Sequence, residues 1–197
     1  MAHSELRKAF ERVVSLNEDE WNLIKDRFKV KDVPAKTFLT SIGDIETDIY
    51  FIVKGIARLF CLNPKKEEVT IFLFKENFFT SSYHSFITQT PSNQALETLE
   101  DTTLLSIDKK AMDELYHLVP KMNVITRIIA EQRFINSQNI FTSQIMFTAE
   151  ERYLHFEKNH GDLLLRVPHH IIASFLGITP VSMSRIRKRL SQKRGIS

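Results

Sequence analysis

The stretch Arg166–Leu190, RVPHHIIASFLGITPVSMSRIRKRL, decides the fold. It parses as two short helices around a tight turn. The first runs from Pro168 to Phe175, and Pro168 suits a first-turn position because its missing N–H has no helical partner there. Gly177 stands just past that helix, where a positive φ is needed. Thr179 caps the second helix, Pro180 opens it, and Ile178 and Met183 flank the cap at the spacing of a hydrophobic staple. Ile172, Ala173, Leu176, Ile178, Met183 and Ile186 point into one small core, with Ala173 small where the helices cross. This is a helix-turn-helix pattern, whose second helix enters the DNA major groove. Facing away from that core are Val181, Ser182, Ser184, Arg185, Lys188 and Arg189: short side chains where base edges would lie, long basic ones where phosphates would lie.

Charge supports this reading. Residues 166–197 hold Arg166, Arg185, Arg187, Lys188, Arg189, Lys193 and Arg194 with no Asp or Glu, whereas the chain as a whole is only +3. A weakly acidic body therefore carries a basic end, and a one-signed end beside such a core is the footprint expected for a polyanion. A solvated basic helix usually mixes signs.

Working outward, the rest of the chain bounds the possibilities. At 197 residues it is one large domain or two modest ones, and 43% apolar residues suffice to fill a core. Five glycines argue against Gly-rich nucleotide loops. The lone Cys61 forbids an internal disulfide and is expected as a buried small residue in a reducing, cytoplasmic setting. Met1 to Glu20 is polar and helical, so no signal peptide is expected, and no stretch approaches the ~20 apolar residues of a membrane span.

Ser4–Val14 has helical spacing, and Asn17 with Glu20 forms a capping box for a second helix, stapled by Leu16 and Trp21. From Val30 to Ile107 the period shortens to strands separated by turn signals such as Lys54-Gly55 and Thr90-Pro91-Ser92-Asn93, which predicts an antiparallel roll or barrel. Phe78, Phe79, Tyr83 and Phe86 cluster in a stretch read as irregular, a core plug or a ligand cage. Asp108 caps a short helix to Leu118. Pro120 opens a long helix to about Met146 with more apolar residues than one stripe needs. Such a helix usually has a partner, so a two-fold pairing is expected through Ile125, Ile128, Gln132, Ile135 and Asn139, with Gln132, Asn136 and Asn139 setting register. Thr148 and Glu151 form a second capping box. Leu163–Val167 reads as a strand-like connector.

This order resembles the Crp/Fnr family of bacterial transcription regulators, over nearly the whole chain. The residues carrying the resemblance are Ile49–Arg58 (IYFIVKGIAR), Leu96–Ile107 (LETLEDTTLLSI), Glu150–Leu154 (EERYL), Ile172–Thr179 (IASFLGIT) and Ser184–Ile186. The wording is most similar to the Bacteroidetes branch. The resemblance implies an α+β chain: an N-terminal antiparallel β-roll (double-stranded β-helix, or jelly roll) with flanking helices over 1–119, a long dimerisation helix over 120–147, and a helix-turn-helix domain over 148–197. It implies a cytoplasmic homodimer on a palindromic operator in double-stranded DNA, with RNA polymerase and an unidentified small-molecule effector as further partners and no membrane. Base edges would be met by Val181, Ser182, Ser184 and Arg185, with Pro180 also at a contact position. Phosphates would be met by Thr179, Arg187, Lys188, Arg189 and Lys193.

Three departures qualify the resemblance. Cyclic-nucleotide members hold ribose with a Gly-Glu pair and phosphate with an Arg-Ser pair. Here Ser92 stands at the Arg position and no carboxylate stands at Ser81 or Ser82, so no tight cyclic-AMP binding is expected. The effector pocket, drawn around Phe78, Phe79, Ser81, Ser82, Ser92 and Asn93, would take a non-phosphate, apolar ligand or be filled by side chains and take none. One cysteine cannot hold an iron–sulfur cluster. Residues 191–197 are too short for the wing that usually follows the recognition helix, so the basic tail would contact phosphate instead.

No cofactor, metal or catalytic residue is expected. A metal-dependent enzyme on the roll would need converging histidines, and of the seven only His84 falls there; no Ser–His–acid motif is evident. The remaining alternative is a ligand-sensing module that signals through protein partners without specific DNA binding.

Overall fold

A computed structural model of the chain describes residues 2–193 and 195. Two helices lead, α1 (Ala2–Glu11) and α2 (Glu18–Lys25). The capping box forms as read: Asn17 Oδ1 accepts the Glu20 N–H at 2.8 Å and the Glu20 carboxylate accepts the Asn17 N–H at 2.9 Å. α1 ends three residues before Val14, and the N–H groups of Val13 and Val14 both turn back to the Phe10 carbonyl.

The roll follows: β1 (Lys29–Val33), β2 (Phe38–Thr40), β3 (Asp48–Lys54), β4 (Ala57–Leu62), β5 (Glu68–Phe74), β6 (Phe79–Thr80), α3 (Tyr83–Thr88), β7 (Ala95–Thr98) and β8 (Thr102–Asp108). They build two four-stranded antiparallel sheets, ordered β1-β8-β3-β6 and β2-β7-β4-β5. Tyr50, Ile52, Leu59, Leu96 and Leu104 fill the space between them. The β3–β4 corner needs glycine. Gly55 has φ +111°, and a Cβ there would stand 2.3 Å from Thr102 Oγ1 and 2.9 Å from the Thr102 backbone. The stretch from Phe78 to Phe86, read as irregular, contains β6 and α3 instead. Its hydroxyl-rich sequence hides both elements from a periodicity argument, and β6 exists because it pairs with Tyr50 and Phe51 of β3. Cys61 is half-buried at the end of β4 rather than buried.

Asp108 Oδ1 accepts the Ala111 N–H at 2.8 Å and starts α4 (Lys109–Leu118). The long helix α5 (Lys121–Met146) then leaves the roll. Its first turns pack with α1, α2 and α4 against Phe51, Leu105 and Ile107. Ile125, assigned above to the dimer stripe, is 0% exposed in this core. Helical spacing cannot say which of two apolar faces meets the roll, and here Ile125 lies on the inward one.

The C-terminal part contains α6 (Ala149–His160), α7 (Leu163–Arg166), α8 (His169–Phe175) and α9 (Pro180–Lys193). Thr148 and Glu151 cap α6 reciprocally, at 3.3 and 2.8 Å. Residues 163–167 are not a strand. The Val167 N–H bonds the Leu163 carbonyl at 2.9 Å, so Leu163 and Val167 share the buried face of one helical turn while Leu165 is 90% exposed. Arg194, Ile196 and Ser197, part of the tail expected to meet phosphate, lie outside the described residues.

Candidate nucleic-acid interface and sensor pocket

The turn between α8 and α9 is built by backbone chemistry. The Gly177 N–H bonds the Ser174 carbonyl and the Ile178 N–H bonds the Ala173 carbonyl, both at 3.0 Å, with Gly177 at φ +64°. That is a Schellman ending, which closes the helix with a left-handed residue. Thr179 Oγ1 accepts the Ser182 N–H at 3.1 Å and so caps α9. Met183, Ile186 and Leu190 are buried with Ile171, Ile172, Ala173 and Leu176, as helical spacing predicts.

The opposite face of α9 is open. Val181, Ser184, Arg185, Arg187, Lys188 and Arg189 are exposed, and Ser182 is partly so. Among the described residues Arg185 and Lys188 form no ion pair. Arg187 meets the His169 ring at 2.9 Å. Arg189 pairs with Glu150, whose other oxygen lies 3.8 Å from Lys193 Nζ.

Arg166, counted in the basic end, is not part of this face. It donates to Glu76 at 2.6 Å and also pairs with Glu100, both on the roll. Partial burial works against the Glu76 charge, but the bonds from Arg166 and from the Gly55 N–H outweigh it and hold the carboxyl down at about 2. Lys75 reaches Asp162 at 2.7 Å and lowers its pKa.

α8 also seals the free edge of β5. The Thr70 N–H donates to Ser174 Oγ at 2.9 Å, and Ser174 Oγ donates to the Glu68 carbonyl at 3.1 Å. An exposed strand edge is thereby given side-chain partners. Arg152 ties two helix ends together, donating to the Phe147 and Leu176 carbonyls at 2.6 and 2.8 Å. Neither Ser174 nor Arg152 stood out as a docking residue in the sequence, although both lie within the runs that carry the family resemblance.

The six expected pocket residues do not line one cavity. Ser82 and Ser92 are buried and bonded to each other at 2.6 Å. Ser92 Oγ also donates to the Gln94 carbonyl at 2.7 Å. Asn93 is exposed on the outside. Beside these serines lies Glu46, 2% exposed, whose carboxylate accepts the Thr40 hydroxyl and the N–H groups of Asp48 and Ser82 at 3.1 and 3.3 Å. Burial raises its pKa above the ordinary carboxylate value. The backbone N–H groups of Asp48 and Ser82 beside this serine pair are thus already taken by an acidic side chain of the chain itself.

Phe78, Phe79 and Ser81 instead line a different space, a cavity of about 620 Å³ between β5, β6, α5 and the C-terminal helices. Gln132, Asn136 and Asn139, read as register-setting amides of a dimer seam, line it too. Ile128 is half-buried and Ile135 exposed. Among the described residues no group of three or more His, Cys, Asp or Glu is placed to hold a metal ion. No described helix is long and apolar enough to cross a membrane.

Residues 30–117 match the family model of the cyclic nucleotide-binding domain. With this domain followed by a long helix and a helix-turn-helix, the chain has the architecture of Crp/Fnr transcription regulators, as its sequence resemblance implied. Among solved structures it is similar to FixK2 from Bradyrhizobium japonicum, at 13% identity and TM-score 0.75 over 84% of this chain and 85% of that one. It is similar also to CLP of Xanthomonas campestris, described as a c-di-GMP responsive global regulator, at 17% identity and TM-score 0.72 over 90% and 93%. A transcriptional regulator assigned to the Crp/Fnr family in Eubacterium rectale aligns at 18% identity and TM-score 0.68 over 91% and 85%. At these identities the likeness is one of fold. No curated protein sequence matches the chain.

Proposed function

We propose that the chain is a homodimeric, sequence-specific DNA-binding regulator whose roll takes no cyclic nucleotide. The observation that carries the reading is the two-sided α9: Met183, Ile186 and Leu190 are buried, while Val181, Ser184, Arg185 and Lys188 are exposed on the other side. We assign base edges to Val181, Ser182, Ser184 and Arg185, and phosphates to Thr179, Arg187, Lys188, Arg189 and Lys193. Dimerisation is supported by an apolar surface on the outer part of α5, where Phe134, Ile135, Phe141 and Ile145 are each at least half exposed. We place the sensor at 1–119, the dimer helix at 120–147 and the DNA-binding domain at 148–197. Exclusion of a cyclic nucleotide is supported by Glu46, which would repel a phosphate, and by the closed Ser82–Ser92 pair.

The test is selection of bound fragments from random duplex DNA, followed by binding of Arg185→Ala to the selected and to random duplexes. A palindromic consensus is expected. Losing one bidentate guanine contact costs about 1–3 kcal/mol per half-site, so the variant should lose affinity for the selected duplex while random-duplex affinity changes little. Equal losses on both would remove Arg185 from the reading surface.

A further inference from the structure

The 620 Å³ cavity falls in the size range of about 300–1,000 Å³ typical of small-molecule sites. Its wall is mainly apolar, with Phe72, Phe74, Phe79 and Ile129 on the roll side and α5, and Phe156 and Phe175 on the DNA-binding side. Into this setting projects Arg133 of α5. Its guanidinium lies over the rings of Phe72, Phe74 and Tyr83, at 5.3, 5.5 and 5.6 Å. Its hydrogen bond goes to the Ser81 carbonyl at 3.2 Å, and among the described residues it has no ion pair. Desolvation pushes its pKa down to about 10. Arg133 is half-buried, and a cation partly withdrawn from water normally keeps an acid beside it. The other guanidinium in the lining, Arg152, is already committed to the Phe147 and Leu176 carbonyls.

A second observation converges on the same place. Thr80 and Ser81 also line the cavity, each is 1% exposed, and their hydroxyls have no hydrogen-bond partner among the described residues. Buried hydroxyls are rarely left this way. One unpaired guanidinium and two unpaired hydroxyls next to an aromatic wall lack one thing, an anionic acceptor attached to an apolar body.

We propose that this cavity is the sensor's ligand site and takes an amphipathic monocarboxylate, its carboxylate on Arg133, Thr80 and Ser81 and its hydrocarbon or aromatic body along the phenylalanines. The anion bonds to a fixed guanidinium, a charge-assisted contact of the strong kind. The site is distinct from the Glu46 cluster. Because the cavity touches the roll, α5 and the DNA-binding helices together, occupancy favours whichever placement of α8 and α9 completes the site, and so shifts DNA affinity. That coupling rests on the regulator reading; the binding claim does not.

Calorimetric titration of the full chain with octanoate, 3-phenylpropanoate and octan-1-ol tests it without DNA. Saturable binding of one carboxylate per chain is expected, at least tenfold tighter than the alcohol; the alkyl and aryl acids tell which body the wall prefers. Arg133→Gln should weaken the acid at least tenfold and leave the alcohol unchanged, and Arg133→Lys should restore part of the loss. The double variant Thr80→Val, Ser81→Ala removes hydroxyls that have no partner among the described residues, so its urea midpoint should be no lower than the parent's while its octanoate affinity falls severalfold. Absence of saturable binding by either acid, equal binding of acid and alcohol, or unchanged affinity in Arg133→Gln would each overturn the site. Saturable binding with no change in affinity for the selected duplex would overturn the coupling alone.

Discussion

Replacing Lys188 by Gln tests the electrostatic half of the DNA-binding reading with a number. Binding that neutralises Z phosphates gives a plot of log affinity against log salt with a slope of about −0.9Z. Lys188 is exposed and has no ion-pair partner among the described residues, so its ammonium is free to take a phosphate in each of two subunits. Losing it removes two contacts per dimer, and the slope should become shallower by about 1.8. Arg189 gives the internal comparison. In the unbound chain it already pairs with Glu150, so the carboxylate offsets part of its charge at the DNA and it neutralises less of a phosphate, releasing fewer DNA counterions. Arg189→Gln should therefore change the slope by less than Lys188→Gln, and Glu150→Gln should steepen it. Fluorescence anisotropy of a labelled duplex between about 50 and 200 mM salt resolves these differences, because affinity changes by orders of magnitude there. Parallel lines for parent and Lys188→Gln, or a larger effect from Arg189, would refute the assignment of this face of α9 to phosphates.

Other expectations concern the joints that hold this face in place. Glu76 sits at about 2 when folded, below its ordinary 4.5, so its contribution is complete above the ordinary value and is lost as pH falls towards about 2. Glu76→Gln should be less stable than the parent at pH 7, with the gap closing between those two values in urea titrations; a gap independent of pH would mean the carboxylate is not its source. Met183→Ala empties the centre of the α8–α9 core, where Met183 is 1% exposed, and should cost about 2–5 kcal/mol in urea unfolding. A cost under about 0.5 kcal/mol, the size of an ordinary surface change, would show that the two helices do not pack there. Phe141→Glu with Ile145→Glu places charges on the outer face of α5 and should convert dimer to monomer in sedimentation, whereas an unchanged mass would move the dimer seam elsewhere.

What could be read along the chain was local. The Asn17–Glu20 and Thr148–Glu151 boxes, the Asp108 cap and the Gly177 corner depend on groups three to five residues apart, and all are formed. The strand cadence was legible because turn residues interrupt it. Leu163–Val167 was misread because five residues, four of them apolar, are too short for periodicity to separate one helical turn from a strand. Ile125 was misplaced because a helix with two apolar faces does not say which one is inward. The expected pocket dissolved for a related reason: Ser82 and Ser92 are hydroxyls whose partners, each other and Glu46, are set by how the loops fold back.

Sequence alone determined the capped helices, the strand cadence of the roll, the helix-turn-helix and the separation of a basic end from an acidic body, because caps, turns and charge act over a few neighbours. Tertiary structure decided which charges are free. Arg166 is taken by Glu76 and Glu100 across separations of 90 and 66 residues, while Arg133, 52 residues from the Ser81 carbonyl it touches, has no acid beside it among the described residues. An ion pair or an empty guanidinium between distant segments is set by packing, since no local rule along the chain says which acid will arrive beside which base.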